Sequence, residues 1–249
     1  MTSFFDGVHY LFAGFVLITR PGLKRFVIIP LIINILLFSV MFMVLRHYTA
    51  EFSAWMTGYL PSWLQWLKAI IWLLFFLGFF LVFVYAFAAL GAIAAAPFNG
   101  LLAEKVELYL TGTLPPDRGM LENIKDVPRI LGRQLSIIGY YLPRALLILL
   151  LYFIPIVHFF AVIIWIYFSA RFLALQYLDF PTDNHRIPLV KVREWLQARQ
   201  GVTLGFGLSV MFVMSIPIIN FFAIPAAAAG AAKFWVEENQ PPRLPRPAS

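Results

Sequence analysis

Apolar and polar positions fall in long blocks along this chain. Phe26 to Leu45 runs for twenty residues without a charge, and Ala69 to Ala96 for twenty-eight. A helix needs about 20 apolar residues to cross a hydrocarbon core of ~30 Å, so each block predicts a transmembrane helix. Two further blocks are interrupted. Ala145 to Ala170 contains Pro155, and Val202 to Ala232 contains Pro217 and Pro225. Apolar arms of roughly ten to fifteen residues remain, which is short for a crossing. Proline removes a backbone donor and clashes with the preceding turn. The breaks also resemble each other: IPIVHFF (Ile154 to Phe160) and IPIINFF (Ile216 to Phe222) match at five of seven positions. Each block predicts a helical hairpin that enters the membrane, turns at proline and returns to the same side. His158 and Asn220 stand at matching positions, where they could satisfy freed carbonyls. A full-length helix kinked at proline is the alternative.

The remaining segments are amphipathic or irregular. Phe4 to Thr19 reads as a helix diluted by Asp6, Gly7, His9 and Gly14, suited to the membrane interface. Asp6, and the lack of a cleavage site before Arg20, argue against a secretory signal. Gly100 to Leu110 has helical spacing, with Leu101, Leu102, Val106 and Leu110 on one side and Glu104, Lys105 and Glu107 largely elsewhere. GTLPPDRGM (Gly112 to Met120) predicts a turn or linker. A second amphipathic helix is predicted over Pro128 to Tyr141, with Arg129 and Arg133 one turn apart on one face. The fold class is all-α integral membrane protein: two long transmembrane helices, two proline-broken and partly penetrating hairpins, and amphipathic helices. They form a single membrane domain over residues 1–238, with a proline-rich tail at 239–249.

Composition agrees. The chain is 61% hydrophobic and 12% charged, and its mean hydropathy is +0.83. Globular domains are nearer half apolar and a quarter charged, so lipid must solvate much of the surface. The net charge of +7 sits in short segments beside the apolar blocks, which argues for headgroups, orientation or an anionic substrate and against nucleic acid. If both broken blocks return to their starting side, every cation-rich segment falls on one face, the cytoplasmic one. With no cysteine, a disulfide framework, a thiolate metal site and a Cys nucleophile are excluded. No P-loop, GxGxxG, HExxH or metal-ligand cluster occurs. The reading is a non-enzyme without cofactor or metal.

A repeated device remains. Proline, a cation and an apolar helix follow one another at PGLKRFV (Pro21 to Val27) and at PRALLIL (Pro143 to Leu149). Proline is favoured at the first helical position, so both predict helix starts. The first turn leaves N–H groups without partners at the positive end of the helix dipole, so a cation there is unfavourable unless an anion is held among them. Gly22 would let the backbone approach that anion closely. Cations that only fix topology explain the same pattern.

RPGLKRFVIIPLIIN (Arg20 to Asn34), APFNGLLAEKVE (Ala96 to Glu107) and YYLPRALLILLLYFIPIV (Tyr140 to Val157) together resemble the CysZ family of bacterial inner-membrane sulfate permeases, over about residues 4 to 236. The resemblance implies a multi-pass protein of the inner membrane, assembled as a homo-oligomer, that takes up sulfate for assimilation toward cysteine. It implies a sulfate site on the Gly-Leu-basic motif, here Gly22, Leu23 and Lys24, with Arg25 adjacent. Lysine is a point charge and lacks the arginine fork, so Lys24 and Arg25 compete for the main contact. On this reading Arg20 joins the first site, and Arg129, Arg133 and Arg144 line a channel-like pathway that Glu104 and Glu107 keep from binding too tightly. A solvated amphipathic face is the alternative for those residues. A non-transporting membrane scaffold is the alternative for the whole chain.

Overall fold

The computed structural model describes residues 3–59, 62–113 and 127–239. Their regular structure is helical throughout. In chain order, α1 is Phe4–Ile18, α2 Arg25–Tyr59, α3 Gln65–Thr111, α4 Val127–Leu151, α5 Val157–Asn184, α6 Leu189–Ala198, α7 Gln200–Met214 and α8 Pro217–Asn239. Five of these are long and apolar enough to cross a membrane. This is an all-α, multi-pass membrane protein. Most of GTLPPDRGM and the tail from residue 240 lie outside the described residues.

The described residues form two compact units. Ile28–Phe98 is one, built from most of α2 and α3. Both predicted spans are here, but the helices outrun the apolar blocks. α2 continues past the uncharged block, through Arg46 to Tyr59. His47 pairs with Glu51 at 3.1 Å one turn later, a spacing that supports helix on a polar segment. α2 and α3 run antiparallel, with Phe38 against Phe83 and Phe52 stacked on Phe75 at 4.2 Å. Pro30 is accommodated inside α2, as transmembrane helices allow.

The other unit, residues 1–27 and 99–249, holds the hairpins. α4 and α5 reverse at residues 152–156, where Ile156 takes φ +72°, a left-handed backbone that a β-branched residue adopts only under constraint. Arg129 meets Asp183 and Tyr141 meets Phe172, so the arms run antiparallel from base to tip. α7 and α8 reverse at Ser215 and Ile216, with Arg199 at 3.4 Å from Glu238 at their base. The hairpin reading is supported at both breaks. Ser215, not Asn220, caps the freed carbonyls: its hydroxyl donates to Met211 and Phe212. The Asn220 and His158 side chains make no hydrogen bond among the described residues; their backbone amides close the turns on Ile216 and Ile154. Pro225 lies within α8 and breaks nothing.

Helix α1 is packed into this unit through its buried face. Gly7 and Gly14 lie against the backbones of α7 and α8, where any Cβ would collide with the Val202 and Ala226 carbonyls. Without a hydrophobic drive between helices in lipid, close backbone approach supplies the packing. α1 runs antiparallel to α8, because Tyr10 stacks on Phe234 and Gly14 meets Ala226. Its C-terminus therefore points toward the tip of the α7–α8 hairpin, away from Arg199 and Glu238.

Gly14→Ala is expected to lower stability in detergent by about 1–3 kcal/mol through forced separation of α1 and α8. Gly78→Ala, where the added methyl meets nothing within 4 Å, should leave the thermal transition unchanged or raise it. Equal shifts for the two variants would contradict the packing.

Candidate functional site

After α1 the chain turns through Arg20 to Lys24, and α2 begins only at Arg25. Pro21 is thus not the first helical residue, as the sequence suggested. The turn needs a left-handed residue, and Gly22 supplies it at φ +87°, which delays the helix. The Leu23 and Lys24 amides donate to the Arg20 carbonyl at 3.1 and 3.4 Å. The Phe26 and Val27 amides donate to Leu23 and Lys24 at 3.1 and 3.0 Å. Most amides expected to face an anion are therefore engaged within the turn, and side-chain charge carries more of its potential than the helix terminus does. Leu23 and Phe26 point inward, at 4% and 9% exposure. Arg20, Gly22, Lys24 and Arg25 face outward. Arg25 is steadied by the Phe26 ring, 4.9 Å from its guanidinium carbon. None of the three cations forms an ion pair among the described residues.

The base of the first hairpin is different. Arg129 reaches Asp183 with two donors, at 2.6 and 3.1 Å. Arg133 donates to Asp179 at 2.7 Å and to the Ile187 carbonyl at 2.6 Å, and lies 3.4 Å from Asp183. Two arginines meet two carboxylates, so the cluster is close to neutral. Asp179 and Asp183 were not singled out in the sequence. The signal was present: an acidic i,i+4 pair opposite a basic i,i+4 pair on the facing helix matches when the helices run antiparallel.

Glu104 and Glu107 lie near the end of α3. Glu104 pairs with Lys105 at 3.2 Å. Glu107 is buried at 9% exposure, although its spacing had placed it largely off the apolar side. His185 explains this, with Nε2 at 2.7 Å from Glu107 Oε1. Glu107 Oε2 is buried with no partner among the described residues. Both residues line a cavity of about 370 Å³ with Ile187 and Trp235. Leu102 and Val106 are fully buried as predicted, whereas Leu101 is exposed.

Arg144 is not at a helix start, because α4 runs unbroken through Pro143. Its guanidinium lies over the Tyr140 ring at 3.8 Å and donates to the Tyr140 carbonyl. The site residues named from sequence therefore fall into separate groups: the unpaired turn at Arg20 to Arg25, the neutralised pair Arg129 and Arg133, the Glu107 cavity wall, and Arg144 on its tyrosine.

Comparison with known proteins places these groups in context. A family model described as "Sulfate transporter CysZ/Etoposide-induced protein 2.4" matches residues 10–225. A protein of Pectobacterium atrosepticum named "Sulfate transporter CysZ" is 45% identical over 233 residues, covering 93% of this chain and 85% of that one. A protein of Salmonella typhimurium with the same name is 43% identical over 236 residues, covering 93% and 92%.

Arg133→Met is expected to destabilise the protein by about 3–5 kcal/mol, because it leaves a largely buried carboxylate uncompensated. Arg133→Met combined with Asp179→Leu should recover much of that loss in denaturant unfolding. A double variant as unstable as the sum of its single changes would show that the pair does not hold the hairpin base.

Proposed function

The chain belongs to the CysZ/etoposide-induced protein 2.4 family, and from that premise we propose that it carries sulfate across the bacterial inner membrane, supplying assimilation toward cysteine. The observation that carries the site is the turn from Arg20 to Arg25. It exposes three cations with no carboxylate partner, beside a glycine that leaves the backbone open. A sulfate dianion loses a large hydration energy on leaving water, and compact cations with open donors replace it.

Within Gly22, Leu23, Lys24 and Arg25 the roles divide. Leu23 anchors the turn through its buried side chain. Gly22 holds the left-handed conformation and keeps Cβ atoms away from the anion. Arg25, steadied on Phe26, presents an oriented fork, and Lys24 adds a mobile point charge. Arg20 extends the positive field. The passage is channel-like and driven by consumption of sulfate downstream. Arg129, Arg133 and Glu107 lie along it as neutralised groups that let the ion pass without trapping it. Several copies of the chain assemble in the membrane, with their exposed apolar helix faces against lipid and one another.

The test is radiolabelled sulfate binding and uptake into proteoliposomes. Lys24→Ala with Arg25→Ala removes two charge-assisted contacts worth ~1.5–3 kcal/mol each, so affinity should fall about a hundredfold or more. Gly22→Ala should weaken binding about tenfold through backbone strain. Unchanged affinity in the double variant would remove the turn from the site. An absence of uptake by the unaltered protein would favour the scaffold reading.

A further inference from the structure

Three arginines at the hairpin bases have carboxylate partners: Arg129 on Asp183, Arg133 on Asp179 and Arg199 on Glu238. Three others do not. Arg144 on α4, Arg171 on α5 and Arg193 on α6 form no ion pair among the described residues, yet three helices bring them together. The guanidinium carbons of Arg144 and Arg193 lie 3.8 and 4.0 Å from the centroid of one ring, that of Tyr140. Arg171 Nη1 is 3.3 Å from the Tyr167 hydroxyl. Tyr141, 5.1 Å from the Tyr140 ring, packs on Phe172, the residue after Arg171, at 4.8 Å.

Stacking on tyrosine contributes about 0.5–2 kcal/mol per guanidinium. Two like charges held against one ring at a protein surface repel by roughly 2 kcal/mol or more, and a third nearby adds to this. The ring alone does not offset that repulsion. Arg193 Nε is moreover a buried donor without an acceptor among the described residues, an arrangement that ordinarily costs about 1–3 kcal/mol. Both costs disappear if an anion sits among the three side chains. The level along the hairpin suits one. Arg144 and Arg171 lie beyond the paired base, where the exposed side chains of α4 and α5 turn to Leu146, Leu147, Ile163 and Ile164. That polar-to-apolar boundary is where phosphate headgroups lie.

We propose that Arg144, Arg171 and Arg193, gathered on Tyr140 and Tyr141, form a second site for a tetrahedral oxyanion, distinct from the Gly22–Arg25 turn. Guanidinium forks favour such an anion by bidentate contact. Its source is either free sulfate or the phosphate of an anionic lipid, and the site does not require the turn to function.

The experiment counts anions on the full-length protein. Radiolabelled sulfate is measured by equilibrium dialysis in detergent. Retained phosphatidylglycerol is measured by native mass spectrometry after release from nanodiscs of phosphatidylcholine and phosphatidylglycerol. Arg144→Gln with Arg193→Gln should lose one bound anion per chain relative to the unaltered protein, in the sulfate arm or the lipid arm. Lys24→Ala with Arg25→Ala should retain it, which separates this site from the turn. Arg171→Gln, an individually mild change, should weaken the same binding about tenfold and serves where the double variant unfolds. Unchanged sulfate and lipid counts in these variants overturn the proposal.

Discussion

Backbone contact between α1 and the second hairpin is the constraint on which the larger unit depends. In lipid, apolar side chains gain little by leaving their surroundings for one another, so helices hold by close approach and polar bonds. Gly7 and Gly14 on α1, with Gly205 and Gly230 facing them, bring backbones together where side chains would stand between. The alanine-rich turns of α8 from Ala226 to Ala232 are fully buried for the same reason. This contact also fixes the functional turn. α1 is fifteen residues long and rises ~22 Å, less than the ~30 Å of a hydrocarbon core. Its packing against α8 decides the level at which Arg20 to Arg25 emerge.

Charge is distributed on a second rule. Where an arginine meets carboxylates, as Arg133 meets Asp179 and Asp183, it ties one helix to another and its field is largely cancelled. Where it meets none, its field is free to act on ions. Hydropathy and side counting treat all these cations alike, so neither could separate the two kinds.

The legible parts of the sequence were those set by local chemistry. Long uncharged runs gave α2 and α3, and the matched IPIVHFF and IPIINFF segments gave both reversals. The Gly-Leu-basic stretch marked a group of cations, though it placed them at a helix start rather than in the turn before one. What failed depended on distant partners. Pro143 and Pro225 looked like punctuation, but neighbouring helices let α4 and α8 continue. Glu107 looked solvated until His185, 78 residues later, came to it. Arg129 and Arg133 were read without their aspartates, which stand 54 and 46 residues away. Pro21 was misplaced by four residues because a left-handed glycine outranks a proline in deciding where a helix can start.

The difference between the two kinds of cation bears on how a permease could release what it binds. A dianion surrounded only by uncompensated cations would be held tightly, and tight binding slows passage. At the base of the first hairpin the arginines are already neutralised by aspartate, and Glu107 keeps one carboxylate oxygen unpartnered among the described residues. A sulfate ion moving from the Arg20–Arg25 turn to that cluster would pass from a strongly positive field into a nearly balanced one. Its affinity would fall along the way without a nucleotide or a moving lid. Such a gradient suits a passive conduit, in which capture at one end and weak binding at the other set the rate, and consumption of the ion sets the direction.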